Sequence, residues 1–164
     1  MNLLNYLIVF LISMVPIVEL RGAIPVAIGM GLDPLWSYII CIIGNMLPVP
    51  IIYLFARKVL IWGSDKKYIG KFFNFCLVKG EKGGKKLQEK AGKGLFVALL
   101  LFVAIPVPGT GAWTGTLAAS MLDMDFKSSI LAVMLGVLIA GIIMGVASMG
   151  VFGGIGALIA PKTA

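Results

Sequence analysis

From Ser128 to Pro161 the chain runs 34 residues without one ionisable side chain. A helix that crosses a hydrocarbon core needs about 20 such residues in a row. Three more uncharged stretches precede it: Met1–Val18, Leu35–Ala56 and Leu95–Leu122. Only 13% of the 164 residues are charged and 60% are hydrophobic, whereas a soluble domain of this size carries about 25% charged residues to cover its surface. The expected fold class is an all-α polytopic membrane protein. A soluble enzyme, a disordered chain and a disulfide scaffold are excluded. With no His and two cysteines, Cys41 and Cys76, the usual zinc ligand sets and Ser-His-Asp or Cys-His catalysis cannot be assembled. No catalytic residue, metal or cofactor is expected.

The charges that do occur are concentrated. Between Arg57 and Lys93 lie 11 basic and 3 acidic residues, against 3 basic and 4 acidic in the rest. A basic loop between apolar blocks marks the cytoplasmic side, and nothing in it resembles a base-reading module, so no nucleic-acid partner is expected. Ile69, Phe72, Phe73 and Cys76 recur at helical spacing among lysines, which predicts an interfacial helix on anionic lipid. Glu81/Lys85 and Glu89/Lys93 read as i,i+4 pairs on a solvated helix. The N-terminus lacks the leading positive charge and small-residue cleavage site of a signal peptide, so residues 1–18 are expected to be retained. The expected location is the plasma (inner) membrane.

Two apolar segments carry helix breakers. One reads Val15-Pro16-Ile17-Val18-Glu19-Leu20-Arg21-Gly22-Ala23-Ile24-Pro25, the other Ala104-Ile105-Pro106-Val107-Pro108-Gly109-Thr110-Gly111-Ala112-Trp113-Thr114-Gly115. Proline removes an amide donor and disfavours helix in the residue before it, and glycine lets the backbone turn. Each cluster sits between two apolar runs too short to span comfortably, which predicts re-entrant hairpins that enter, break and leave on the same side. Proline-kinked ordinary spans are the alternative. In the hairpin reading the chain is a single integral membrane domain, 1–164. Residues 1–56 form a hairpin plus a span and 57–94 the basic loop. Residues 95–160 repeat the hairpin and span and add a Gly-rich tail. A hairpin plus one span makes an odd number of crossings, so the halves are inverted, an architecture common in secondary transporters.

Glu19 and Arg21 are the only charges in the first apolar block before Asp33. An ionisable group within a bilayer is costly and usually faces a cavity or a partner. A carboxylate there suits proton coupling or cation binding, and a guanidinium suits capture of phosphate or carboxylate. A structural pair that stitches the hairpin tip to its neighbours is the plainer reading. At the second tip, a helix starting near Gly111 would aim free amides at an anion. Candidate binding residues are therefore Glu19, Arg21, Pro25, Asn45, Pro106, Pro108, Thr110, Trp113 and Thr114. An interhelical hydrogen bond for Asn45 and interfacial packing for Trp113 are equal alternatives, and Pro48/Pro50 mark a further irregularity. Gly141 and Gly145 form a small-xxx-small pair that suits helix packing or a homodimer contact. Asp123, Asp125 and Lys127 read as a membrane-boundary turn.

The two motifs, Pro16–Pro25 and Pro106–Gly115, resemble those of the small multidrug export protein family, over nearly the whole chain. That family is similar to the DedA/VTT superfamily, whose members have opposed re-entrant hairpins and embedded acidic and arginine residues. The resemblance implies that Glu19 and Arg21 are the embedded charged pair. It also implies translocation of a small molecule, a polyprenyl-phosphate carrier or a phospholipid, with protons as coupling ions. A second arginine common in DedA-like chains is missing here, where Thr110 and Trp113 stand instead. Three functions therefore compete at this point: a proton-coupled exporter of small amphipathic or anionic substrates, a lipid-carrier flippase or scramblase, and a non-transporting organiser that docks partners on the basic loop.

Overall fold

The computed structural model of the chain describes residues 3–65, 70–71, 93–107 and 109–159. Its elements are α1 (Leu3–Met14), α2 (Glu19–Gly29), α3 (Pro34–Met46), α4 (Pro48–Ser64), α5 (Lys93–Ala104), α6 (Ala112–Met121) and α7 (Phe126–Ile159). No strand occurs among the described residues. Both proline-containing segments break the helix where the sequence reading puts the breaks, between α1 and α2 and between α5 and α6. Pro25 is the exception: it lies inside α2 rather than at the break.

The turn from α2 to α3 and the turn from α6 to α7 are built alike. In the first, Met30, Gly31 and Leu32 donate their N–H groups to the carbonyls of Val26, Ile28 and Ala27. In the second, Leu122, Asp123 and Met124 donate to Ala118, Ser120 and Ala119. Gly31 (φ 71°) and Asp123 (φ 55°) occupy the same left-handed position, as a helix C-terminus often requires. An aspartate then caps each following helix. Asp33 accepts from the Trp36 N–H at 2.9 Å, and Asp125 accepts from the Ser128 N–H at 3.1 Å, satisfying amides that the first turn leaves free. The turn expected at 123–127 is the second of these.

Leu47 keeps helical angles between α3 and α4 and donates to the Ile43 carbonyl, so the two helices form one bent rod around Pro48 and Pro50. Its apolar part, Pro34–Phe55, is 22 residues long, and that of α7, Phe126–Gly154, is 29. Both are long and apolar enough to cross a membrane. Most residues of both segments are not buried within the chain. Leu35, Trp36, Ile142, Val146 and Val151 stand outward, as on a surface solvated by lipid rather than water.

Two boundaries differ from the sequence reading. The first span was expected to end at Ala56, but α4 continues through Arg57 and Lys58 to Ser64, because no breaker occurs before Gly63. The Lys58 ammonium lies 5.5 Å from the Phe55 ring centroid, one turn back. The Gly-rich tail is helical to Ile159. In apolar surroundings the backbone must satisfy itself, which outweighs the low helix propensity of Gly150, Gly153 and Gly154. The expected interfacial helix at Ile69–Cys76 and the pairs Glu81/Lys85 and Glu89/Lys93 lie outside the described residues.

Packing interleaves the two halves. α1 packs on α2 and α3, and α5 packs on α7. α2 also reaches α7, while α6 packs along α4. Small residues permit the close approaches. A Cβ on Gly44 would lie 2.8 Å from the Phe10 carbonyl oxygen of α1, and one on Gly136 would lie 2.8 Å from that of Leu100 in α5. The buried core is rich in alanine and valine, among them Ala23, Ala27, Ala119, Ala132, Val133, Val137 and Ala140, the side chains that let membrane helices meet closely. Tyr38 on α3 donates to the Leu138 carbonyl at 3.0 Å, and Tyr53 on α4 donates to that of Met124.

Candidate functional site

The first break begins where Pro16 withholds an amide. Ile17 stands at φ 75° and Glu19 at φ 50°. A β-branched residue in the left-handed region costs on the order of 1–3 kcal/mol and persists where the surroundings hold it. Ile17 itself is 90% exposed, so its own side chain does not impose the angle; the anchored Glu19 and the start of α2 do. α2 starts at Glu19, whose own N–H bonds to the Val15 carbonyl at 2.9 Å.

The second break needs glycine twice, at Gly109 (φ 86°) and Gly111 (φ 143°). Gly111 is the N-cap of α6 and offers no side chain to the free amides of the first turn. Glu19 supplies one from across the molecule. Its Oε2 accepts from the Ala112 N–H at 3.1 Å and its Oε1 from the Trp113 N–H at 3.0 Å. The Glu19 residue is 3% exposed. The buried carboxylate thus meets two amide donors that the first turn of α6 leaves free.

Arg21 does the complementary work at the end of α5. Its Nη2 donates to the carbonyls of Val103 (2.9 Å) and Ile105 (3.1 Å). Its Nη1 faces the carbonyls of Val107 (2.8 Å) and Thr110 (2.6 Å) and the Thr110 hydroxyl (2.8 Å). Val103 belongs to the last turn of α5, where carbonyls lose their helical partners at the negative end of the helix, while Ile105 and Val107, which also accept the N–H groups of Val107 and Thr110, lie with Thr110 in the break that follows. The acid thus caps the helix that leaves the second break, and the guanidinium caps the helix that enters it. The anion that the start of α6 was expected to attract is the protein's own carboxylate.

Around Arg21 the two breaks enclose a cleft of about 300 Å³. Ile17, Val18, Arg21 and Gly22 line it from the first break, Pro106, Val107 and Gly109 from the second, and Met144 from α7. Glu19 is not part of this lining. Arg21 lines the cleft while its Nη hydrogens are engaged with five backbone and hydroxyl acceptors. A second, almost wholly apolar cavity of about 220 Å³ lies between α5 and α6.

The structure brings Glu19, Arg21, Pro106, Thr110 and the Trp113 backbone together. The Thr110 hydroxyl bridges its own segment, within 2.9 Å of the Ile105 carbonyl and 2.8 Å of that of Val107. Thr114 stands apart, exposed, with its hydroxyl 3.5 Å from the Gly111 carbonyl. Pro25 also stands apart, and Pro108 lies outside the described residues. Asn45 is fully buried at the end of α3. Gly141 is covered within the chain by Tyr38, whereas Gly145 faces open space. Sequence reasoning expected free amides at the start of α6 but missed the carbonyls of Val103, Ile105 and Val107, since individual backbone carbonyls leave no mark in a sequence. Met144 gave no signal either.

A family model described as "Putative small multi-drug export protein" matches residues 19–143. No curated protein and no solved structure matches the chain. The matched stretch opens on Glu19 and contains both capping side chains, the whole second break and most of the apolar part of α7. The chain belongs to this small multi-drug export family.

Proposed function

We propose that the protein is a membrane exporter of small amphipathic or anionic substrates, driven by protons through Glu19, with its site at the two helix breaks. The observation that carries this reading is the buried Glu19 carboxylate held by the amides of Ala112 and Trp113. It is a titratable group whose charge fastens one half of the chain to the other. Protonation removes the negative charge and turns one acceptor oxygen into an O–H that opposes an N–H. The clasp on α6 then weakens. The cleft beside it, floored by Arg21, can change the side to which it opens.

In the same reading the chain is two hairpin-plus-span repeats of opposite orientation, and the breaks are re-entrant tips. What supports this is local likeness. α1 and α5 are both 12 residues long. Gly44 against Phe10 is repeated by Gly136 against Leu100, and the two matched turns end in aspartate caps. Each second arm packs on the opposite span. Such a pair of repeats can rock about its shared centre, as alternating access requires. Export of lipid-linked phosphate is the less favoured reading, because the Arg21 fork that would grip a phosphate is engaged by carbonyls.

The test uses vesicles reconstituted with the protein and loaded with a fluorescent amphiphilic dye. A proton gradient is expected to drive dye movement in the wild type and not in Glu19→Gln, with both proteins folded. Equal transport by Glu19→Gln would remove this mechanism.

A further inference from the structure

Asn45 is fully buried, yet among the described residues neither its amide nitrogen nor its amide oxygen has a hydrogen-bond partner. The indole nitrogen of Trp113 is buried and unpartnered in the same way. Buried side-chain donors and acceptors are rarely left so in native proteins without an ordered water or a ligand. The matched repeat sharpens the point. Counting from Gly44 and Gly136, the next position is Asn45 in one half and Val137 in the other, and Val137 is also buried. Packing at this place is therefore satisfied by a valine, and the amide serves something polar.

Three helix ends converge here. Gly44 abuts Ser13 and Phe10 at the end of α1, which sets Asn45 level with the first break. α2 and α3 run back along each other from the 30–33 turn and have similar lengths, 11 and 13 residues. The start of α2, Glu19, therefore lies beside the end of α3. Trp113 is tied to Glu19 through its own N–H. Beyond Asn45 the buried Pro48 and Val49 open α4, which packs along α6.

From this convergence we propose that the Asn45 amide and the Trp113 indole N–H hold internal water beside Glu19, and that this water carries protons to and from the carboxylate. The role deepens the proton-coupled reading above and rests on it. Asn offers a donor and an acceptor, so a water can be oriented with one lone pair and one hydrogen spent and the others free to continue a chain. The step is a bare proton transfer. A proton moves from the water chain to a Glu19 oxygen, the positive charge leaves the water and neutralises the carboxylate, and no other bond changes. Few other ionisable groups compete. Arg21 sits two residues on, α3 contributes Tyr38 and Cys41, α4 has Tyr53, Arg57 and Lys58, and α1 has Tyr6. α7 has Lys127 at its start, α5 has Lys93, and α6 has none.

Water-edited solid-state NMR of the full chain in bilayers tests the site directly. Magnetisation is expected to pass from water to the Asn45 side-chain amide and the Trp113 indole N–H, and Asn45→Val is expected to abolish the transfer to Trp113. In vesicles Asn45→Val should lose proton-driven dye movement by about tenfold or more, while Asn45→Ser, which keeps a hydroxyl and leaves room for water, retains most of it. No transfer to either group in the wild type overturns the proposal, even if Asn45→Val does not fold. A more heat-stable Asn45→Val with full transport also overturns it. Wild-type water transfer together with a fully active Glu19→Gln overturns the relay along with the exporter mechanism. A dry site with an inactive Glu19→Gln overturns the water proposal and leaves that mechanism standing.

Discussion

Glu19 and Gly111 occupy one another's space: a methyl group on Gly111 would lie 2.3 Å from Glu19 Oε2. The glycine is required twice over, by this approach and by its φ of 143°. Gly111→Ala is therefore expected to push the carboxylate off the α6 amides and destabilise the fold by about 2–4 kcal/mol. Thermal unfolding in detergent measures it. In a Glu19→Ala background the same change should cost clearly less, because only the backbone strain remains, and a full, additive cost would show that the contact carries no energy.

Arg21 answers to geometry as much as to charge. Its planar fork serves five acceptors, whereas a lysine ammonium has three donors at one point. Arg21→Lys is expected to lower stability by about 1–2 kcal/mol although the charge is kept. Equal melting temperatures for the two proteins would mean that the cap on α5 is electrostatic and not directional.

The breaks themselves were legible because they are made of residues with no choice. Pro16 and Pro106 cannot donate, and Gly109 and Gly111 adopt angles that other residues resist. The destination of the two charges was not legible. Glu19 and Arg21 could be read as polar groups needing a partner, but their partners are peptide groups, and any sequence supplies those. The fate of the tail was hidden for a different reason: its glycines signal flexibility in water, while apolar surroundings force the backbone into a helix. Asn45 announced itself as a polar residue in an apolar run. That Gly44 and Gly136, followed by Asn45 and Val137, make like contacts with a preceding helix could be seen only in the structure.

The glycines of α3 and α7 should sort by contact rather than by spacing. Gly44→Ala and Gly136→Ala meet backbone oxygens, which cannot rotate away, and each is expected to cost about 1–3 kcal/mol. Gly141→Ala meets the Tyr38 ring at 2.6 Å and should also destabilise. Gly145→Ala, with nothing within 4 Å, should leave the melting temperature of the monomer unchanged or slightly raised. If Gly145→Ala instead lowers it and weakens cross-linking between copies, the open face of α7 is a homodimer contact.

Ile17 offers a test of stored strain. It is exposed and held at φ 75°, so Ile17→Gly removes a steric penalty and gives up little packing. Allowing for the extra freedom of glycine in the unfolded chain, a net stabilisation of about 1 kcal/mol is expected. Ile17→Ala should fall between the two. Destabilisation by Ile17→Gly would show that the side chain is covered, by lipid or by a second copy, when the protein is in a membrane.

The inverted arrangement can be checked at two positions that open corresponding spans, Leu35 beside the first aspartate cap and Lys127 beside the second, both exposed. With the basic loop inside, a hairpin that enters and leaves from one face puts Leu35 on the outer side. The next span carries the chain inward, and the second hairpin returns it to the inner side at Lys127. In a background without Cys41 and Cys76, Leu35→Cys should react with a membrane-impermeant thiol reagent added to intact cells, and Lys127→Cys only after permeabilisation. Ordinary kinked spans make a different prediction. Each broken pair would then cross the bilayer once, so the segment after it lies opposite the segment before it. With the basic loop inside, Lys127 would lie outside, and labelling of Lys127→Cys in intact cells would leave the two breaks as kinks in spans rather than tips that meet within the membrane.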